Sequence, residues 1–113
     1  MPGKPVRPRA STAARVPLDE GTTHVLHFEP CCGAVLSGLG FWVLMTAADY
    51  RHGGAHSGRA DWAASGGKRT PVSDLAAWVS AKAGYRVTLI RSDAIIDPEW
   101  SSLMAYQIRR AAS

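Results

Sequence analysis

The chain has 113 residues, with 13 Lys and Arg against nine Asp and Glu, a formal charge of +4 and 46% hydrophobic residues. That length holds at most one small core, and two cysteines, adjacent at Cys31 and Cys32, make no disulfide scaffold; reduced apolar thiols are expected. Lys4, Arg7, Arg9 and Arg15 all precede the first acid, Asp19, so the basic excess belongs to the N-terminal tail, which argues against a folded nucleic-acid-binding face.

Residues 1–21 read as an extended basic arm. Pro2, Pro5, Pro8 and Pro17 prevent a stable helix, and there is too little apolar surface to order the segment. An Arg-rich, acid-free start is also how a mitochondrial or plastid targeting segment reads, although such segments usually form the amphipathic helix that these prolines forbid. No apolar run follows Met1, so no secretory signal is expected.

Residues 22–50 decide the expected fold. From Pro30 to Ala48 run nineteen residues without a charge. As a helix, at about 1.5 Å per residue, they would span roughly 28 Å against a hydrocarbon core of ~30 Å. Apolar side chains fall on every side of the helical wheel, and such a helix must be buried entirely, in protein or in lipid. A chain this short has little protein to spare, so the expectation is a transmembrane helix over about 30–48. Gly33, Gly38 and Gly40, with Phe41 and Trp42, would be its helix-packing residues, because glycine lets a second membrane helix approach closely. Tyr50, Arg51 and His52 would sit at the lipid interface. The alternative is a β-meander over 22–46, with strands in "HVLHFE", "AVLS" and "FWVLM" and turns at "PCCG" and "GLG".

Residues 51–70 are glycine-rich and read as a linker. Residues 71–113 predict a helix–strand–helix tail. Thr70 caps a first helix with Pro71 at its first position; Val72, Leu75, Ala76, Val79 and Ala83 form its apolar stripe, and Gly84 closes it. "YRVTLIR", residues 85–91, alternates as a strand does. Asp97 and Pro98 open a last helix with Trp100, Leu103, Met104, Ile108 and Ala111 on one face.

"GFWVLMTAADYRHGG", residues 40–54, preceded by His and Pro, resembles the small AGGG-type accessory subunits of mitochondrial respiratory complex I. The matching residues are His24, His27, Pro30, Phe41, Trp42, Val43, Leu44, His52 and Gly53. The likeness covers residues 24–54 and has no counterpart for the tail. The resemblance implies a non-catalytic, single-span subunit of the mitochondrial inner membrane.

No catalytic constellation survives a check of spacing. His27-x-Glu29 followed by Pro30-Cys31-Cys32 fuses two halves of the zinc deaminase signature, but adjacent cysteines point about 100° apart on a helix and do not share one tetrahedral ion. "HGGAHSGRAD" resembles a zinc peptidase signature with one residue missing and no later histidine. A zinc site gathered from His24, His27, His52, His56 and Cys31 is incompatible with a membrane between the two histidine pairs. "SGGKRT" lacks the spacing of a phosphate loop. No catalytic, cofactor or metal residue is therefore assigned.

The expected protein is mainly α and non-catalytic: a single-span structural or accessory subunit of a hetero-oligomeric membrane complex, such as a respiratory-chain complex of the mitochondrial inner membrane. Its partners would be other membrane subunits and lipids, with no nucleic acid and no small-molecule substrate. The alternative is a soluble α+β protein- or nucleic-acid-interaction domain; a small zinc-binding protein or hydrolase comes third.

Overall fold

In the apolar stretch that dominates the sequence, Leu39–Thr46 is a strand. A computed structural model describes residues 16–30, 38–52, 61–96 and 104–112. In chain order it has β1 (Thr22–Pro30), β2 (Leu39–Thr46), a short helix α1 (Ala47–Arg51), β3 (Trp62–Gly67), helix α2 (Val72–Ala83), β4 (Val87–Arg91), a 3-10 turn (Asp93–Ile95) and β5 (Ala105–Arg110). The strands form one antiparallel sheet in the order β3-β2-β1-β5-β4.

The expected mainly α class with a transmembrane helix is thereby overturned. Pro30 ends β1, Leu39 opens β2, and no helix among the described residues is long and apolar enough to cross a membrane. The fold is α+β, as in the alternative reading, though the strand expected at "AVLS" lies outside the described residues. The physical reason is cover on both faces. β1 and β2 lie inside the sheet with protein above and below, and such strands read as near-continuous apolar runs. An eight-residue strand needs far less surrounding protein than a nineteen-residue helix, so a small core suffices.

Alternation sorts these strands into two cores. Leu26, Phe28, Trp42, Leu44, Tyr106 and Ile108 face α2 and pack beneath its Leu75 and Val79. The rings of Phe28 and Trp42 are tilted, with centroids 5.2 Å apart. On the opposite face Val25, Val43, Met45 and Ala105 pack against Tyr50 of α1 and against Ile95 and Ile96, with Leu18 at the margin. Each fully buried large side chain contributes roughly 1.5–3 kcal/mol relative to exposure.

Helix α2 and strand β4 lie where the sequence places them, and Gly84 closes the helix at φ 86°, its N–H donating to the Ser80 carbonyl at 2.9 Å. The cap differs. Pro71 is the N-cap without a side-chain bond, while the Thr70 hydroxyl donates to the Gly67 carbonyl at 2.6 Å. The segment expected as a linker contains β3. The predicted last helix is corrected too: residues 97–103 lie outside the described set, and Ala105–Arg110 is a strand. Met104 and Ile108, four apart, share a face in a helix and in a strand alike, so their spacing could not separate the two.

The chain ahead of β1 is fastened by a buried amide. Gln107 Oε1 accepts from the Asp19 N–H and the Thr22 hydroxyl, both at 2.7 Å, and its Nε2 donates to Ser92 Oγ at 3.2 Å. Residues 1–15 of the basic arm lie outside the described residues.

Candidate functional site

The residues singled out for membrane packing are divided by the sheet. Gly33 lies outside the described residues. Gly38 takes φ 73° in the turn before β2. Gly40 sits in β2 against β1, where a Cβ would collide with the Glu29 carbonyl and come within 2.8 Å of Pro30 Cα. It is a close backbone approach between strands, not a groove for a helix. Phe41 and Trp42 point to opposite faces: Trp42 is buried and donates its indole N–H to the Gly67 carbonyl at 2.9 Å, while Phe41 is 41% exposed. Leu39, on the Phe41 face, is 59% exposed.

The lipid-interface residues separate similarly. Tyr50 is 1% exposed, and its hydroxyl donates to the Ile95 carbonyl at 2.6 Å, with the Val16 carbonyl 3.3 Å away. Arg51 and His52 are exposed at the end of α1.

The histidines of β1 fall on different faces, because they are three residues apart in a strand. His24 lies beside Trp62, ring centroids 6.0 Å apart; burial pushes its pKa below the ordinary value, opposed by the Asp61 carboxylate. His27 is 2% exposed on the other face, with Nε2 3.0 Å from Glu29 Oε2. That bond holds the Glu29 carboxyl below its ordinary range, and His27 Nδ1 is buried without a partner among the described residues. His27 and Glu29 thus meet as neighbours on one strand face. Among the described residues no three His, Cys, Asp or Glu gather as a metal site; Cys31, Cys32 and His56 lie outside those residues.

What the sheet exposes most distinctly is its two edges. In an antiparallel pair, the residues that bond the neighbour alternate with residues that face away. The Lys68 N–H donates to the Gly38 carbonyl at 2.6 Å. This sets Gly66, Ala64 and Trp62 inward to β2 and turns Ala63, Ser65 and Gly67 outward. The Gly67 carbonyl is already taken by Trp42 and Thr70. The N–H and C=O of Ala63 and Ser65, and the N–H of Gly67, therefore face away from the sheet. Among the described residues β3 has a neighbour on one side only, and no charged side chain lies within it. Its flanks carry opposite signs: Asp61 before it, Lys68 and Arg69 after it.

The β4 edge is built differently. The Ala111 N–H donates to Arg86 and the Ser92 N–H to Ala105, so even residues face β5 and odd ones face out. The outward N–H of Val87 is bonded by Ser80 Oγ of α2 at 3.2 Å. Arg91 grips Asp93 with two bonds of 2.5 and 2.8 Å. Burial opposes ionisation of Asp93, but the bonds from Arg91 and from the Ala105 amide outweigh it and hold the carboxyl below its usual range. Arg86, Arg109 and Arg110 are exposed nearby. Arg86 and Arg109 donate to backbone carbonyls, and Arg110 lies over the Tyr85 ring at 4.7 Å. None of the three pairs with a carboxylate among the described residues. They divide between the two faces of the sheet, Arg110 with Val87 on the α2 face and Arg86 with Arg109 on the other; that pairing was not legible in sequence, where residues 16–113 balance.

No protein family, curated protein or solved structure matches the chain, so function is argued from this geometry alone.

Proposed function

We propose that the chain is a protein-interaction module that holds its partner by strand addition at β3. The observation that carries this is an edge with outward backbone groups, no charge of its own, and exposed Leu39 and Phe41 beside it. Natural edges are usually blunted by charge, proline or a covering element, and an edge without these devices is a template for another strand. Main-chain bonds would supply attachment, and the two apolar side chains would supply selectivity. A non-catalytic part of a larger assembly is also what the resemblance to accessory subunits implies, here without a spanning helix among the described residues. A photo-crosslinking residue at Ser65 tests this in the full chain in its native cells, against the same residue at Thr88. Adducts from position 65 that vanish when Ala63→Pro removes an outward N–H support strand addition; no adduct of any mass at 65 sinks it.

A second reading rests on Arg86 and Arg109, which share one face beside β4: a polyanion such as nucleic acid would bind there. Binding of single-stranded oligonucleotide that weakens steeply with salt and disappears in Arg86→Glu/Arg109→Glu would support it. Absence of any salt-dependent binding removes it.

A further inference from the structure

We infer that the N-terminal arm of this chain docks in cis on the exposed sheet face formed by Leu39, Phe41 and Glu29. It binds as an extended proline helix whose cations meet the Glu29 carboxylate, and a partner strand at β3 must displace it. Docking stands independently of strand addition; its consequence for β3 rests on that reading.

The face is built by register. Phe41 lies opposite Glu29 of β1 on one side and Ser65 of β3 on the other, and Leu39 lies opposite Gly67. Ser65 and Gly67 are too small to cover these side chains, so both stay exposed. Among the described Phe, Tyr and Trp residues only Phe41 is exposed. Glu29 beside it is half exposed, with Oε2 held by His27 Nε2. An aromatic ring next to a fixed carboxylate suits a proline-rich basic segment: the ring packs against the pyrrolidine and the carboxylate pairs with the cation.

The arm carries that chemistry at a matching spacing. Pro2, Pro5 and Pro8 recur every third residue, and a polyproline II helix has three residues per turn, so the prolines form one ridge. Lys4 and Arg7 form the neighbouring ridge, and Val6 belongs to neither. The prolines that forbid an α-helix also pre-set φ, which lowers the entropy cost of ordering.

The point of attachment commits the face to this occupant. The Tyr50 hydroxyl lies 3.3 Å from the Val16 carbonyl, and Leu18 packs at the margin of the core that holds Val43 and Met45. The arm is therefore joined to the sheet on this face and not on the α2 face. From Met45 to Phe41 is about 14 Å along β2, and residues 9–15 reach up to ~23 Å when extended. Tethering gives a local concentration in the mM range, so a shallow face of weak affinity is filled. Charge sets the direction. Arg109 pairs in register with Thr22, at the far end of β1 from Glu29, so the arm is repelled there and attracted here. Asp19, Glu20 and Asp49 lie nearer the attachment but have no exposed ring beside them.

A nitroxide on Val6→Cys, in the full chain with Cys31→Ser/Cys32→Ser, reads docking without any partner, as broadening of nearby amide NMR signals. Leu39, Phe41 and Glu29 should broaden more than Val79 and Val87. Lys4→Glu/Arg7→Glu should abolish the difference, and about 0.5 M salt should weaken it. Glu29→Gln, which keeps the side-chain shape, should reduce it with an unchanged melting midpoint. In native cells, photo-adducts from position 65 should rise in Lys4→Glu/Arg7→Glu, because the arm no longer competes. No selective broadening at Phe41, or broadening untouched by the charge reversal, overturns the inference. Broadening that appears only when nitroxide-bearing and isotope-labelled chains are mixed places the arm on a second copy and overturns docking in cis. Adducts that do not rise when the arm is released overturn the displacement. If no adduct forms in either chain, strand addition fails, while the broadening still decides docking.

Discussion

At the β4 edge the helix supplies what the strand leaves open: Ser80 bonds the outward Val87 N–H, Arg91 and Asp93 clasp one another, and arginines crowd the margin. At the β3 edge nothing among the described residues does the same, and the strand is made of small residues after Trp62. The difference follows from how α2 crosses the sheet. It leaves the sheet beside β3, at Thr70, and reaches β4 at its far end, so its last turns lie against one edge and not the other. A sheet need not treat its margins alike. One can be closed by side chains while the other is kept as a docking strand.

The change expected to break this comparison most severely is Gly40→Val. Among the described residues β3 pairs with β2 alone, and the new side chain would meet the Glu29 carbonyl and Pro30. Overpacking of this kind should cost about 3 kcal/mol. Hydrogen exchange should show β2 and β3 losing protection before β4 and β5; uniform loss would mean that the two halves are not separable.

Next comes an exposed lysine placed on each edge. Ser65→Lys puts a cation on the open edge and should weaken strand addition there at least about tenfold, on the order of 1.4 kcal/mol, whereas Thr88→Lys should leave it unchanged. Equal loss of adducts from a photo-crosslinking residue at Ala63 in the two variants would erase the distinction between the edges.

Ser80→Ala sharpens the comparison from the other side. Loss of the hydroxyl strands the Val87 N–H and should cost about 1 kcal/mol in denaturant unfolding, with faster exchange at the Val87 amide and none at Ser65. An unchanged Val87 amide would show that Ser80 does not close that edge.

The smallest effect is on pH dependence. Burial lowers the folded pKa of His24, so the unfolded chain takes up this proton first as pH falls. The resulting stability is fully present above 6.5 and is lost as pH drops from there toward the folded value. The carboxyls of Glu29 and Asp93, also lowered, act only below their own ordinary values of 4.5 and 3.8, so the window between 4.5 and 6.5 belongs to His24 rather than to them. Denaturation midpoints at about pH 7.5 and about pH 5.5 should differ less in His24→Phe than in the wild type, and mild acid should loosen Trp62 more than Val87. Identical profiles would remove His24 from the account.

Much of the α2–β4 region was legible because its signals are local. The apolar spacing of Leu75 and Val79, the left-handed Gly84 and the β-branched run of β4 each act within a few residues. The candidate edge was hidden in a segment that reads as a linker. Gly66 and Gly67 look like flexible joints, yet Gly66 leaves room for Trp42, whose Cδ1 would stand 3.1 Å from a Cβ there. That contact joins residues 24 positions apart in the sequence, and no local pattern announces it.

By itself the sequence determined which residues must leave water: the uncharged run from Pro30 to Ala48 had to be enclosed by something. Whether lipid or protein enclosed it was decided by tertiary structure. Pairing β1 with β2 and β5 placed Leu44 and Met45 on opposite faces, each under its own cover. Hydrophobicity is a property of the side chain and is written in the chain. Which surface answers it depends on hydrogen bonds between segments far apart, and those form only when the strands meet.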